Sequence, residues 1–475
     1  MQAELPTVGR DRAVREVCMA TKVGLISLGC PKNTVDSETM LGYLKAAGME
    51  ICTDENEADV LIVNTCGFKE DAARESVDTL LEGSAWKNRV KGRAVVAAGC
   101  LVQRYGTDMS GELPDVDAFV GVGQYDDIAE KVRAVLSQAA NGNGTQTPAR
   151  PAQPLLQIGP PKAIPHQQGP RVRSTPPWTA YVRISDGCDY RCSFCTIPSI
   201  RGDHFSRPIE AIVEETERLA EEGVKEIVLV AQDSMRYGWD LYHTLALPKL
   251  LRALAKVDGI RWIRIMYAYP ATVTDSVIAA IAEEPKVCSY LDIPLQHADR
   301  GVLKAMNRPG DGDKYLRIVE RFRAACPDIA IRSTFIVGHP GETPEAFNRL
   351  KSFLRAADLD RVGVFTFCRE EGTPSAELPD QVPSRVAARR RDELMKVQAG
   401  ISRRKNLAHV GETLDVLVER ETAPGRYMGR SYRDAPDIDG AVIFTGSGLR
   451  LGDIVPVTVT GGDVYDLHGI SSTAE

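Results

Sequence analysis

The stretch Cys188-Asp189-Tyr190-Arg191-Cys192-Ser193-Phe194-Cys195 organises this chain of 475 residues. Its three thiols follow the strand-like run Thr179 to Ser185 and precede Pro198. Four thiolates would close a cubane iron–sulfur cluster or a tetrahedral zinc site. Three, with no fourth nearby, suit a cluster that keeps one iron open, where a substrate can coordinate directly. The same spacing fits a zinc knuckle with a distant fourth ligand, or three unrelated core thiols. The residues on either side of it decide among these.

Downstream the chain alternates. Strand candidates are Thr179–Ser185, Glu226–Val230, Trp262–Tyr267, Tyr290–Ile293, Ile329–Val337 and Val362–Phe367, with helical stretches between them such as Ile209–Glu222 and Pro344–Ala356. Six βα units fit a partial, open barrel of the TIM type, whose function sits at the C-terminal strand ends. The first strand delivers Cys188 to that face. Other strand ends carry Gln232-Asp233, Tyr269-Pro270, Gln296-His297 and Gly338-His339-Pro340-Gly341-Glu342.

Upstream, Lys22–Leu28, Val60–Asn64, Ala94–Ala98 and Asp117–Val122 read as buried strands, alternating with helices over Thr34–Ala47, Glu70–Leu81 and Asp126–Gln138. That alternation predicts a parallel sheet. Cys30, Cys66 and Cys100 each lie just past a strand end, 36 and 34 residues apart, about one βα repeat. In a parallel sheet those ends share one edge, where ligands bind. Three far-separated thiols therefore have a way to converge, although cysteine is also commonly buried without function.

Hydrophobic residues are 43% and charged ones 26%, a globular composition. No apolar run reaches the roughly 18 residues of a membrane span, and the N-terminus lacks a signal-peptide core. The expectation is a cytoplasmic monomer with no membrane contact, whose eleven cysteines point away from disulfides and toward metal or catalysis. Residues 1–20 read as a disordered or mis-assigned extension, with Met19 as an alternative start. Residues 138–173, rich in Gly, Asn, Gln and Pro, read as a flexible linker in which His166 is solvated. Cys18, Cys52, Cys288, Cys326 and Cys368 match no ligand spacing. The expected domains are 21–137, 174–405 and 406–475.

Arg385 to Lys405 is a basic helical stretch that suits a connector packed on the barrel. After it come short strands, Leu414–Glu419, Tyr427–Ser431, Val442–Thr445 and Ile454–Thr460, separated by Gly-rich turns. They predict a small β-barrel of the oligonucleotide-binding class. From Leu407 onward eleven acids stand against five arginines and no lysine, a balance of −6. Lys and Arg supply most non-specific nucleic-acid affinity, so this barrel suits a basic protein partner better. Asp434, Asp437 and Asp439 are the acids expected to attract it.

The C-x3-C-x2-C stretch with Phe194 before the last cysteine resembles the signature of radical S-adenosylmethionine (SAM) enzymes. The resemblance implies a [4Fe–4S] cluster on Cys188, Cys192 and Cys195, with SAM on the open iron and a 5′-deoxyadenosyl radical as the product of its reductive cleavage. Gly338, Gly341 and Glu342 lie in a segment similar to the family's glycine-rich approach to SAM. Gln232, Gln296, His297 and Arg201 are further candidates for SAM or substrate, Arg201 through a carboxylate or, failing that, as a surface ion pair. The N-terminal domain resembles that of the methylthiotransferases, which implies a second [4Fe–4S] cluster on Cys30, Cys66 and Cys100 that carries the sulfur. The terminal barrel is similar to the TRAM domain that closes this family.

Ser27 to Asn33 (SLGCPKN), Ile197 to Gly202 (IPSIRG) and Asp292 to His297 (DIPLQH) look like the RimO branch. That branch acts on small-subunit ribosomal protein S12 and places a methylthio group on the β-carbon of an aspartate. The resemblance implies this protein as the substrate, with an unidentified electron donor and sulfur source. The rival expectations are a tRNA adenosine methylthiotransferase and a non-catalytic ribosome- or RNA-binding iron–sulfur protein.

Overall fold

A computed structural model of the chain describes residues 20–141, 154–161 and 170–471. The expected N-terminal extension, apart from Ala20, and His166 lie outside the described residues. The first sheet is parallel, in the order β2 (Glu50–Ile51), β1 (Lys22–Ser27), β3 (Val60–Thr65), β4 (Ala94–Gly99), β5 (Ala118–Val120) and β6 (Leu155–Gln157). Every residue of β3, β4 and β5 is buried. Helices cover both faces, which is why VLIVNT and AVVAAG run apolar without alternation. The short strands β2 and β6 escaped the sequence pattern because three or fewer residues carry no period. β6 falls within the stretch expected to be a flexible linker, and pairs with β5 from Ala118↔Leu155 to Val120↔Gln157. Arg171, from the same stretch, ion-pairs with Glu38 and Glu215.

Four helices attend this sheet: α1 (Pro31–Ala46), α2 (Glu70–Lys87), α3 (Cys100–Glu112) and α4 (Ile128–Asn141). The first begins three residues before the expected Thr34, because Pro31 sits at its first position with φ already set for a helix. Cys30 is thereby the residue that caps it.

The central domain holds two parallel three-stranded sheets that form one open barrel wall. One has the order β11 (Trp262–Ile265), β10 (Glu226–Val230) and β7 (Thr179–Arg183); the other has β12 (Tyr290–Asp292), β13 (Ala330–Val337) and β14 (Arg361–Thr366). A single parallel bridge, Ile263↔Val287, joins them at the β11–β12 seam. A small antiparallel pair, β8 (Ser185–Asp186) with β9 (Phe205–Ser206), flanks the cysteine stretch. One large apolar core, from Ala180 to Ile401, lies between these strands and their helices.

The long helix Ser384–Ala408 packs on β14 and leads into a closed five-stranded barrel, β15 (Thr413–Ala423), β16 (Arg426–Ser431), β17 (Val442–Thr445), β19 (Leu467–Ser471) and β18 (Ile454–Gly462). Its fifth strand, β19, was not legible in LHGIS. The segment between β16 and β17 enters the end of the central barrel remote from the thiols. There Tyr290 donates to Asp439 (2.6 Å), Arg361 pairs with Asp434 (3.0 Å) and Tyr181 donates to Asp437 (3.4 Å). Asp434 and Asp439 are thus partners of the chain's own barrel, so the expected role in attracting a substrate does not stand for these two, whereas Asp437 stays exposed. At the same junction Glu226 takes both Arg264 (2.8 Å) and Arg430 (2.6 Å), all three buried.

Candidate functional site

Cys30, Cys66 and Cys100 come together at the C-terminal edge of the first sheet. Cys30 caps α1 and Cys100 opens α3, so two of the three thiols sit at helix N-termini. Ser76 of α2 accepts the Cys66 N–H (2.9 Å) and holds the third in place. Convergence needs backbone without side chains. A Cβ on Gly29 would lie 2.9 Å from the Cys66 Sγ, and one on Gly99 2.2 Å from the Asn64 Oδ1. Both glycines also have positive φ, +92° and +95°, which other residues rarely adopt.

The electrostatics of the three thiols differ. Burial would raise Cys30, but Lys32, Arg201 and the N–H groups of Asn33 and Lys32 outweigh it and hold the thiol below its ordinary value. Burial pushes Cys66 up and Cys100 up to about 12. Cys100 donates to Asn33 Oδ1 (3.4 Å), and Arg201 Nη2 lies 3.3 Å from its Sγ.

The second set is strapped by main-chain bonds. Cys188 N–H donates to Gly202 O (3.0 Å), Ser193 N–H to Met306 O (3.0 Å) and Cys195 N–H to Cys192 O (3.0 Å). Phe194 packs its ring against the main core. Burial raises Cys188 to about 11 and Cys195 to about 12. Arg308, which no sequence signal singled out, places Nη1 3.7 Å from the Cys192 Sγ while stacked over Tyr269.

The two sets face one junction. Ile200, in the short helix α5 (Ile197–Arg201) just past Cys195, packs directly on Cys100. Below that contact Arg183 and Arg201 each pair with both Asp36 and Asp186, at 2.6 to 3.0 Å and fully buried. Arg201 therefore serves the chain's own carboxylates and does not reach for one from SAM or a substrate.

Glu342 is likewise occupied. It pairs with Arg390 (2.9 Å) and His297 (3.3 Å) and accepts the Gly338 N–H. Its role is to hold the Gly338–Glu342 turn, and His297 is part of that support. Gly338 has φ +81°, and a Cβ there would meet the Ala387 Cβ at 2.4 Å, so its close neighbour is the long helix Ser384–Ala408. Gly341, with φ +80°, has open space at the same position. Gln232 is different: both its amide atoms are buried without a hydrogen-bond partner, as is Gln296 Oε1. Buried polar groups are ordinarily paired, and these two glutamines depart from that rule.

The donor chemistry fits iron–sulfur clusters. Among the described residues no three ligating side chains stand close enough for one metal ion. A cubane has no such requirement, since each thiolate binds a different iron. Cys52, Cys288, Cys326 and Cys368 are free and join neither set. Among the described residues no helix is long and apolar enough to cross a membrane.

Comparison with known proteins matches three stretches of the chain: the radical SAM superfamily over residues 182–354, uncharacterized protein family UPF0004 over 22–121 and the TRAM domain over 410–471. The chain is 49% identical over 453 residues to the ribosomal protein uS12 methylthiotransferase RimO of Symbiobacterium thermophilum, covering 94% of this chain and 90% of that one. It is 48% identical to the protein of the same name from Pelotomaculum thermopropionicum, covering 95% and 99%. Among solved structures it is similar in fold to the radical SAM methyltransferase TsrM from Kitasatospora setae, with cobalamin and a [4Fe–4S] cluster bound. That match has a TM-score of 0.56 at 16% identity and covers 75% of this chain and 77% of the other.

Proposed function

The chain belongs to the RimO family of radical SAM methylthiotransferases, and from that premise we propose that it transfers a methylthio group to the β-carbon of an aspartate in ribosomal protein uS12. The observation that carries this reading is the pair of three-thiol sets bordering one buried junction. Cys188, Cys192 and Cys195 would hold one [4Fe–4S] cluster with SAM, and Cys30, Cys66 and Cys100 a second. When bound, these groups supply radical hydrogen abstraction and the sulfur to be inserted.

The chain's own residues do the rest. Arg308 lays a guanidinium beside the Cys192 sulfur, where a thiolate gains from a fixed cation. Arg201 does the same for Cys100, while its pairs with Asp36 and Asp186 lock the first sheet onto the barrel. Gln232 and Gln296 offer unpaired amide atoms at the barrel mouth to orient a polar ligand. The network of Arg183, Arg201, Asp36 and Asp186 excludes water from beneath the junction, which reactive intermediates require. The domains proposed for this work are 21–137 for the sulfur-carrying set, 174–405 for the radical SAM set and 406–475 for the terminal barrel.

The test offers uS12 and tRNA side by side at equal concentration to cluster-loaded enzyme with SAM and a reductant. Intact-mass analysis should find uS12 heavier by about 46 Da, the replacement of H by SCH3. A methylthio group on the tRNA and none on the protein overturns the reading in favour of the tRNA branch.

A further inference from the structure

Lys32 is a buried cation whose one role above is to favour the thiolate of Cys30. It follows Cys30 by two residues and crosses from the first domain into the mouth of the barrel. Its Nζ donates to the Ala231 carbonyl (3.2 Å) and lies 3.4 Å from the centroid of the Tyr267 ring. Ala231 directly follows β10, and Tyr267 lies two residues past β11. The same two strand ends continue to the Cys188 stretch. Tyr269 stacks on Tyr190 with ring centroids 3.9 Å apart, and Asp233 accepts the Tyr269 N–H (3.2 Å). Lys32 thus stands where the two thiol sets meet.

Its partners do not match its charge. An ammonium has three donors, and here one carbonyl and one ring face answer them. Among the described residues no carboxylate comes within ion-pairing distance of it. Asp36 and Asp186, the acids of the junction, are both taken by Arg183 and Arg201. Three buried cations therefore share two carboxylates. The Cys30 thiolate is the nearest negative group to it, so no carboxylate of the chain balances this ammonium, although buried charges are ordinarily paired. The tyrosine beneath it is also firmly set: Tyr267 has φ +62°, and its N–H is held by Asp292 Oδ2 (3.1 Å).

We propose that the Lys32 ammonium receives the side-chain carboxylate of the target aspartate and selects an acidic side chain over its neutral amide. A carboxylate gripped there fixes its own β-carbon one bond away, at the meeting point of the two thiol sets. The proposal rests on the uS12 reading above and adds to it the residue that recognises the reacting side chain. A neutral asparagine in the same place would leave the ammonium unmatched.

The experiment uses full-length, cluster-loaded enzyme with uS12 carrying either the target aspartate or asparagine in its place. Equilibrium binding and methylthio transfer are measured for the unaltered enzyme, Lys32→Met and Lys32→Arg, together with iron per chain. Loss of one charge-assisted contact should weaken binding of the aspartate form by roughly tenfold to a hundredfold in Lys32→Met. The asparagine form should bind Lys32→Met and the unaltered enzyme equally, Lys32→Arg should recover part of the preference, and iron should stay constant. Equal losses for both forms overturn the proposal, because Lys32 then only docks the two domains. A fall in iron overturns it too, because Lys32 then serves the neighbouring thiolates. If the unaltered enzyme adds nothing to aspartate uS12, the functional reading itself fails, whereas an active enzyme with an undiminished preference in Lys32→Met sinks this inference alone.

Discussion

Six cysteines carry the chemistry proposed for this chain, and their environments divide them. Cys100 and Cys195 are the thiols burial raises to about 12, yet each has an arginine close at hand, Arg201 for the first and Arg308 across the second set. Binding iron deprotonates such thiols, and a nearby fixed cation offsets part of that cost. Two independent sites should hold about eight irons per chain, four for each cubane. Replacing Cys188, Cys192 and Cys195 by Ala should leave about four by iron assay. A triple variant that keeps all its iron would show the ligand assignment to be wrong. Replacing Cys30, Cys66 and Cys100 should abolish sulfur insertion but leave deoxyadenosine formation measurable, because the two sets share no ligand. At this scale the sequence misread Arg201 and Glu342. Both lie in motif-like surroundings, but a side chain's partner depends on what the fold brings opposite it, here Asp36 for one and Arg390 for the other.

The turn Gly338–Glu342 and the long helix Ser384–Ala408 form a unit whose logic is steric. Both glycines of the turn have positive φ, and an L-residue there costs about 1–2 kcal/mol. Gly338 also faces the Ala387 Cβ at 2.4 Å, where overpacking adds about 1–3 kcal/mol. Gly338→Ala should therefore lower the denaturation midpoint distinctly more than Gly341→Ala, which meets open space. Equal midpoints in urea titrations would remove the packing role given to Gly338. Elements this long were legible before the fold was known, because the helix Ser384–Ala408 and strands such as β13 show a period. β2, β6 and β19 were missed because their short runs derive their structure from the strand beside them, as Leu155 does from Ala118.

Across the whole molecule, the terminal barrel is fastened to the end of the central barrel opposite the thiols. Burial alone would raise the Glu226 carboxyl, but Arg430 and Arg264 outweigh it and hold it down at about 2. An unfolded glutamate titrates near 4.3. The stability this group confers is thus fully present above about pH 4.3 and lost as pH falls toward 2. Glu226→Ala, which leaves buried Arg264 without a carboxylate and Arg430 with Glu419 alone, should cost about 3–5 kcal/mol. It should also erase that acid-dependent step from the pH profile of unfolding. A profile that keeps the step would place it on other carboxylates. Substituting Asp434 or Asp439 belongs to the same experiment, since Arg361 and Tyr290 hold them in this junction.

By itself the sequence determined the three-part architecture, the parallel sheet with its thiols at strand ends, the open barrel and the small closing barrel. Each rests on local pattern: periodicity, cysteine spacing and glycine placement. Which residues surround those thiols was decided by tertiary structure. Lys32, two residues from Cys30, finds its partners at Ala231 and Tyr267. Arg308 reaches Cys192 from more than a hundred residues away. Two acids of the terminal barrel read as part of a free negative surface, but the fold buries Asp434 against Arg361 and Asp439 against Tyr290. Charge and composition are summed along the chain, whereas pairing and burial are set by which strand ends meet, and no local pattern encodes that meeting.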